Sequence, residues 1–321
     1  MAETYCYWQQ HFFCQNANDR FNHQSTPTIM NKFAIAFVTI LLLTQASFAQ
    51  NSAQSIVNTN NAVIEIPFTM DRNLILIQAS INNQPENTYV FDTGTQGLVL
   101  NKTIVAQHQL TGKGVTRVGS PNDPVGVEVR NIDIPSMTIN GFIANKVQGI
   151  EVGEQSIFTP NAVGIIGISL FNGNLVTIDY KESKLIISKG SLKLDDASVF
   201  KVDVSQVIET DIKVNDQLLA AHIDSGGPEL ISFPLEWKDK LKLKSEPVPF
   251  AKARVMSGEI DIYKAQLEGT IRLGSIELKD PKITMVSGGF QSINIGFKFL
   301  KDYVTTIDMV NGLMKITPNK L

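Results

Sequence analysis

The sequence predicts an all-β protein whose chain consists of two related halves. Short apolar runs, such as Leu74–Ile81 and Lys282–Val286, are bounded by Gly, Asn and Pro, which is typical of strands. The pattern of long amphipathic helices is missing. A set of short motifs also occurs twice in the same order, which indicates an internal repeat.

The most informative repeat is a pair of apolar strands that each end in an Asp-Thr/Ser-Gly triplet. The first covers residues 89–95 (YVFDTGT) and the second covers residues 221–227 (AHIDSGG). From average composition, chance alone gives one such triplet in roughly one chain of this length in ten. Two triplets with matching surroundings make a pair of ordinary turns the weaker interpretation.

The residues around the two triplets repeat as well. Upstream, Asn82 and Asn215 stand in two predicted hairpin turns. Downstream, residues 165–167 (IIG) correspond to residues 294–296 (NIG), which carry an amide in the first apolar position. Short helical segments are expected at residues 101–108 and 234–241, and after each of the two repeated glycines.

A second aspartate follows each of these glycines at the same interval, Asp179 in the first half and Asp308 in the second. Each stands where a predicted strand ends and a turn begins. Capping of the turn is therefore favoured over a catalytic role.

On these residues the chain resembles the pepsin-like and retropepsin-like aspartic peptidases, in which each of two lobes supplies one Asp-Thr/Ser-Gly. The resemblance covers about residues 61–321, and residues 295–308 (IGFKFLKDYVTTID) resemble the closing segment of that family. It implies a bilobal pepsin-like (acid protease) fold, with two β lobes related by a pseudo-two-fold axis and the active cleft between them. The lobes would be residues 61–190 and 199–321, joined at residues 191–198.

Two carboxylates within hydrogen-bonding range cannot both ionise at low cost, so they share one proton, as the aspartic proteases illustrate. The ionised carboxylate can take a proton from water, while the protonated one stabilises the developing oxyanion. The resemblance assigns these roles to Asp92 and Asp224. The expected activity is that of an aspartic endopeptidase, which needs no metal, cofactor or covalent nucleophile.

The resemblance also implies that five neighbouring residues support this dyad: Thr93, Gly94, Thr95, Ser225 and Gly226. The hydroxyls of Thr93 and Ser225 would hold the two loops against each other. Gly94 and Gly226 would leave room for the approach of the loops and for amides that face the carboxylates.

The second half carries Gly227 where the first half carries Thr95. A carboxylate with one donor fewer is less stabilised in its charged form. The sequence therefore predicts an activity optimum nearer neutral pH than that of the strongly acid-adapted members of the family.

A flap over the cleft is expected at residues 117–127, around a Pro-Asn-Asp-Pro tip, and a matching hairpin is expected at residues 254–260. The tyrosine of pepsin-like flaps is absent, because no Tyr occurs between Tyr89 and Tyr180. His222 stands two residues before Asp224, and a packed or surface histidine is favoured over one that tunes the dyad.

Residues 30–49 are predicted to be a secretory signal peptide. An apolar run at residues 33–43 is preceded by a lysine and followed by the small residues of ASFA, and it is too short to span a bilayer. A buried core helix is the weaker alternative. Residues 1–29 are expected to be an upstream extension outside the mature protein, and residues 50–60 a polar leader. The protein is thus expected to be periplasmic or secreted, without a membrane span in its mature form.

Composition narrows the function further. With 43% hydrophobic and 18% charged residues, the chain can build a large core, and a net charge of −3 suggests neither nucleic acid nor an anionic membrane as a partner. Both cysteines, Cys6 and Cys14, fall in the expected extension, so the mature protein would have no disulfide. No metal-ligand spacing or phosphate-binding motif occurs. A monomer that acts on a peptide or protein substrate is expected.

The alternative is a different class of protein, an exported binding or inhibitor protein that has the bilobal fold without the activity. Gly227, Asn294 and the flap without tyrosine favour it. The two intact aspartates, with their hydroxyl and glycine neighbours, favour the enzyme, because an unstable carboxylate pair has no evident use in a binding protein.

Overall fold

A computed structural model describes residues 6–7, 54–55, 63–118, 127–153, 159, 161–255, 258–287 and 292–319. Strands in several sheets dominate these residues, which confirms the all-β class. The predicted signal peptide lies outside the described residues, as do the extension and the polar leader apart from residues 6–7 and 54–55. No helix in the described part of the chain is long and apolar enough to cross a membrane.

The strands up to residue 188 are β1 (Cys6–Tyr7), β2 (Gln54–Ser55), β3 (Ile64–Pro67), β4 (Thr69–Asp71), β5 (Leu74–Ile81), β6 (Asn87–Asp92), β7 (Leu98–Asn101), β8 (Val115–Val118), β9 (Val127–Ile139), β10 (Phe142–Val152), β11 (Gly164–Gly167), β12 (Leu175–Asp179) and β13 (Lys184–Ser188). Those that follow are β14 (Val199–Lys201), β15 (Glu209–Val214), β16 (Gln217–Ile223), β17 (Ile231–Pro234), β18 (Val248–Val255), β19 (Gly258–Gln266), β20 (Thr270–Leu273), β21 (Ile276–Lys279), β22 (Lys282–Val286), β23 (Ile293–Ile295), β24 (Tyr303–Asp308) and β25 (Leu313–Pro318). The α-helices are α1 (Lys102–Gln107) and α2 (Phe297–Leu300), and 3-10 turns cover Ile168–Phe171 and Leu235–Trp237.

The strands that carry the Asp-Thr/Ser-Gly triplets have matching neighbours. In the first half, β6 pairs antiparallel with β5 and parallel with β11, and β11 pairs antiparallel with β7. In the second half, β16 pairs antiparallel with β15 and parallel with β23, and β23 pairs antiparallel with β17. The sequence repeat is therefore also a repeat of strand pairing.

A six-stranded sheet joins the two halves of the chain in the order β14-β25-β24-β12-β13-β3. Among the described residues, each half supplies three of these strands. The central strands β12 and β24 run antiparallel with Thr177 opposite Thr306, and the two hydroxyl oxygens are 2.8 Å apart. This hydrogen bond lies at the junction of the two sets of strands.

The two predicted hairpin turns are confirmed. Asn82 follows β5 with φ 51°, and Asn215 follows β15 with φ 52°, in the left-handed region that Asn tolerates better than most residues. Each side-chain oxygen accepts a hydrogen bond from a backbone N–H, that of Ser136 at 3.2 Å and that of Thr270 at 2.8 Å. The asparagines thus form the turns and also attach them to neighbouring strands.

The helix predicted at residues 101–108 is α1, which begins after Asn101, whose Oδ1 accepts from the N–H of Ile104 at 2.9 Å. Short helical segments also follow the two repeated glycines, as predicted. The prediction of helix at residues 234–241 is wrong in extent. Only Leu235–Trp237 form a 3-10 turn there, and the N–H groups of Lys240 and Leu241 then donate to the carbonyl of Trp237 in further turns.

Both predicted hairpins have paired arms. In the first half, β8 and β9 run antiparallel with Val118 opposite Val127, while the expected Pro-Asn-Asp-Pro tip lies outside the described residues. In the second half, β18 and β19 run antiparallel with Val255 opposite Gly258.

Candidate active site

The structure brings Asp92 and Asp224 together. Asp92 is the last residue of β6, Asp224 directly follows β16, and both are buried, with exposed fractions of 1% and 2%. The backbone N–H of Gly226 donates to Oδ1 of Asp92 at 3.1 Å and to Oδ1 of Asp224 at 3.0 Å. Because both oxygens lie within hydrogen-bonding range of the same nitrogen, the two carboxylates are close neighbours.

Reciprocal hydrogen bonds connect the two loops. The N–H of Thr93 donates to Oγ of Ser225 at 3.0 Å, and the N–H of Ser225 donates to Oγ1 of Thr93 at 2.9 Å. The Thr93 hydroxyl in turn donates to the carbonyl of Ile223 at 2.8 Å. Both residues are fully buried. Thr93 and Ser225 thus connect the two loops directly to each other.

The two carboxylates have different surroundings. Asp92 accepts from the N–H of Gly94 at 2.9 Å on Oδ1 and from the hydroxyl of Thr95 at 2.6 Å on Oδ2. Asp224 accepts on Oδ1 from the N–H of Gly227 at 2.9 Å, in addition to the bond from Gly226. A side chain at Gly227 would place its Cβ 3.0 Å from Oδ2 of Asp224. Because Gly227 has no side chain, it cannot give Asp224 the hydroxyl donor that Thr95 gives to Asp92.

The repeated glycines fit tightly against the loops that carry the aspartates. The N–H of Gly167 donates to the carbonyl of Gly97 at 2.7 Å, and the N–H of Phe297, next to Gly296, donates to the carbonyl of Gly227 at 2.6 Å. Asn294, the departure from the apolar pattern, is buried within β23 and keeps the strand pairing. The amide therefore does not interrupt this element.

Asp179 and Asp308 cap turns. Asp179 accepts from the N–H of Glu182 at 2.9 Å, and Asp308 accepts from the backbone N–H groups of Leu192, Val310 and Asn311 at 2.9 to 3.0 Å. Burial alone would raise the pKa of Asp308, but the hydrogen bonds from Asn311 and the other donors outweigh it and lower this pKa. The structural interpretation of both residues is supported.

His222 is a packed histidine. It is buried in β16, and its Nε2 lies 2.9 Å from Oε2 of Glu209, its partner across the β15–β16 ladder. The interpretation favoured from the sequence, a packed residue, agrees with this contact.

An ion cluster near the Asp224 loop was not apparent from the sequence. Oε2 of Glu229 lies 2.8 Å from Nζ of Lys264 and 3.4 Å from Nζ of Lys298. Burial alone would raise the pKa of Glu229, but the hydrogen bond from Lys264 and the charges of both lysines lower it. Glu229 stands two residues after Gly227, and Lys298 stands two residues after Gly296. Lys264 comes from a distant strand, so no local pattern brings the three residues together.

Among the described residues, no group of three or more His, Cys, Asp or Glu side chains could hold a metal ion. No protein-family model matches the chain, and no curated protein matches it. The arrangement around Asp92 and Asp224 must therefore be interpreted from its own geometry.

Replacing Thr93 by Val is expected to lower the free energy of unfolding by roughly 3 kcal/mol, because it leaves the N–H of Ser225 and the carbonyl of Ile223 buried without this partner. Thr93→Ser is the matched control, since it keeps the hydroxyl, and it should retain most of the stability. Urea unfolding of the variants measures the difference. Equal stability of the Val and Ser variants would show that these hydrogen bonds do not hold the loops.

Proposed function

We propose that the chain is an aspartic endopeptidase with a bilobal pepsin-like fold, in which residues 61–190 and 199–321 form the two lobes. One observation carries the proposal: the buried carboxylates of Asp92 and Asp224, one from each half, accept a hydrogen bond from the same N–H group of Gly226. Carboxylates this close and this buried are the arrangement that shares a proton.

The strand pairing supports the bilobal fold. Each aspartate lies at the end of a strand with the same set of neighbours, and the six-stranded sheet receives three described strands from each half. A single chain that supplies both aspartates needs no second copy to complete the site, which agrees with a monomer.

The proposed reaction is an attack of water on a peptide carbonyl. We assign the ionised role to Asp92, because the Thr95 hydroxyl and the N–H of Gly94 stabilise charge on its oxygens. Asp92 takes one proton from a water molecule, whose oxygen forms a bond to the carbonyl carbon, while Asp224 gives its proton to the carbonyl oxygen. The tetrahedral intermediate then breaks its C–N bond. The proton held by Asp92 passes to the leaving nitrogen, and one hydroxyl of the intermediate returns its proton to Asp224 as the new carbonyl group forms.

Substrate and location follow from the same proposal. The substrate is a peptide or a protein, because the proposed reaction hydrolyses an amide bond. The apolar run of residues 33–43, with its small residues at the exit, supports export to the periplasm or the medium.

The test is to incubate the protein without residues 1–49 with a mixed peptide library from acid to neutral pH, and to measure its melting temperature with and without a statine-type inhibitor, which mimics the tetrahedral intermediate. Cleavage that the inhibitor blocks, together with a raised melting temperature, is the expected result. Absence of both cleavage and inhibitor binding in a folded protein would overturn the proposal and favour the exported binding protein.

A further inference from the structure

Tyr180 lies next to the candidate active site and has no role in the mechanism above. It directly follows β12, and its ring makes edge contacts with Phe68 and Phe297 at centroid distances of 5.9 and 5.5 Å. Phe297 begins α2, and its N–H donates to the carbonyl of Gly227. Tyr180 thus packs against Phe297, whose backbone is hydrogen-bonded to Gly227 in the loop that follows Asp224.

The hydroxyl of Tyr180 is not explained by packing. Its oxygen is buried and has no hydrogen-bond partner among the residues that the structure describes. A buried polar group without a partner costs about 1 to 3 kcal/mol of folding free energy, whereas phenylalanine would keep the two ring contacts without this cost. A hydroxyl retained at such a place calls for another explanation, of which a role at a reactive site is one.

Both aspartates act on this hydroxyl. Burial raises the pKa of Tyr180, and the negative charges of Asp92 and then Asp224 raise it further. The phenol is therefore a neutral donor throughout the pH range of peptide hydrolysis.

Other charged side chains stand on the elements around Tyr180 and the dyad: Glu65, Asp71, Asp179, Lys181, Glu182, Glu229 and Lys298. Glu65 pairs with Lys184, Asp179 accepts from the turn that it caps, and Glu229 pairs with Lys298. Lys181 and Glu182 are exposed. The charges that raise the pKa of the Tyr180 hydroxyl are those of the dyad.

We propose that the Tyr180 hydroxyl is a positioning group of the carboxylate pair, to which it donates through a bridging water molecule. This hydrogen bond favours the ionised form of the pair. It takes the place of the hydroxyl donor that Gly227, unlike Thr95, cannot supply. Its effect on catalysis rests on the proposed function, but its effect on the titration of the two carboxylates does not.

The test variant is Tyr180→Phe. The acid limb of the pH dependence of kcat/KM is expected to move upward by about one pH unit, because a donor to the charged form is lost. The melting temperature should change little, because phenylalanine keeps the ring contacts with Phe68 and Phe297. A purely structural tyrosine would leave the pH profile in place, and that result would overturn the inference.

Tyr89→Phe is the matched control. Tyr89 is a second buried tyrosine whose hydroxyl lacks a partner among the described residues, but burial is the one cause that raises its pKa, without a contribution from the dyad. Its replacement should leave the acid limb where it is in the wild type. An equal shift in both variants would assign the effect to general loss of buried hydroxyls and would overturn the inference.

A titration that needs no activity separates the two proposals. The ¹³Cγ signals of Asp92 and Asp224 can be followed with pH in the wild type and in Tyr180→Phe, after assignment with the Asn variants of each aspartate. A shifted titration in a protein that cleaves nothing would support the Tyr180 inference while the endopeptidase proposal fails. Cleavage by the wild type with an unshifted titration would give the reverse outcome.

Discussion

Asp92→Asn and Asp224→Asn are each expected to lower kcat/KM for peptide hydrolysis by about 10³-fold or more, because each removes one partner of a proton-sharing pair. The amide keeps the size of the side chain and one acceptor oxygen. The buried loops, held by Thr93 and Ser225, should therefore remain in place. Steady-state rates on a cleaved library peptide measure the loss, and the double variant should be little worse than either single one, because the two groups act as a unit.

Asp179→Asn is the control for these two variants. Asp179 belongs to the same sequence repeat but caps a turn through the N–H of Glu182. Its change to Asn should leave the rate close to that of the wild type. If the Asp92 and Asp224 variants instead kept the full rate, with Asp179→Asn impaired, the assignment of the dyad would be wrong.

Much of the candidate site could be predicted from the sequence because local chemistry specifies it. Asp92 and Asp224 each follow an apolar strand and precede a glycine, and Asn82 and Asn215 each stand in a turn that tolerates positive φ. Each of these signals occurs once in each half, which predicts that the two halves correspond to each other. The same repeat predicted the helical turns after the two glycines.

Contacts that depend on tertiary packing could not be predicted in this way. The ring of Tyr180 contacts Phe297 because the residue after β12 and the first residue of α2 come together in space, and no local pattern in the sequence predicts that approach. The sequence nevertheless contained an indication that Tyr180 is special. When the two halves are aligned on the repeat, Asp179-Tyr180 corresponds to Asp308-Met309. A polar aromatic residue in one half and an apolar residue in the other is a break in the repeat, as is Gly227 opposite Thr95. Such breaks indicate where the two halves have taken different roles.

Gly167→Ala and Gly296→Ala are expected to destabilise the protein by roughly 3 kcal/mol or more, since each adds a methyl group where backbone already lies. A Cβ at Gly167 would lie 2.2 Å from the carbonyl oxygen of Thr95, and one at Gly296 would lie 2.4 Å from that of Glu229. The backbone angles are not the obstacle, because φ is −73° at Gly167 and −107° at Gly296, values that alanine adopts freely. The clash is with the two aspartate loops, so relief of it must displace the carboxylates.

Gly153→Ala tests whether this loss comes from the clash rather than from the change of residue. Among the described residues, and leaving its chain neighbours aside, a Cβ at Gly153 would meet no atom within 4 Å. This variant should therefore unfold at about the same urea concentration as the wild type or slightly above it. The two loop variants should unfold at lower urea and lose peptide hydrolysis even under conditions in which they are folded. Wild-type activity in a folded Gly167→Ala protein would mean that the loop can move without affecting the dyad. The tight fit of glycine and loop would then be a feature of folding alone.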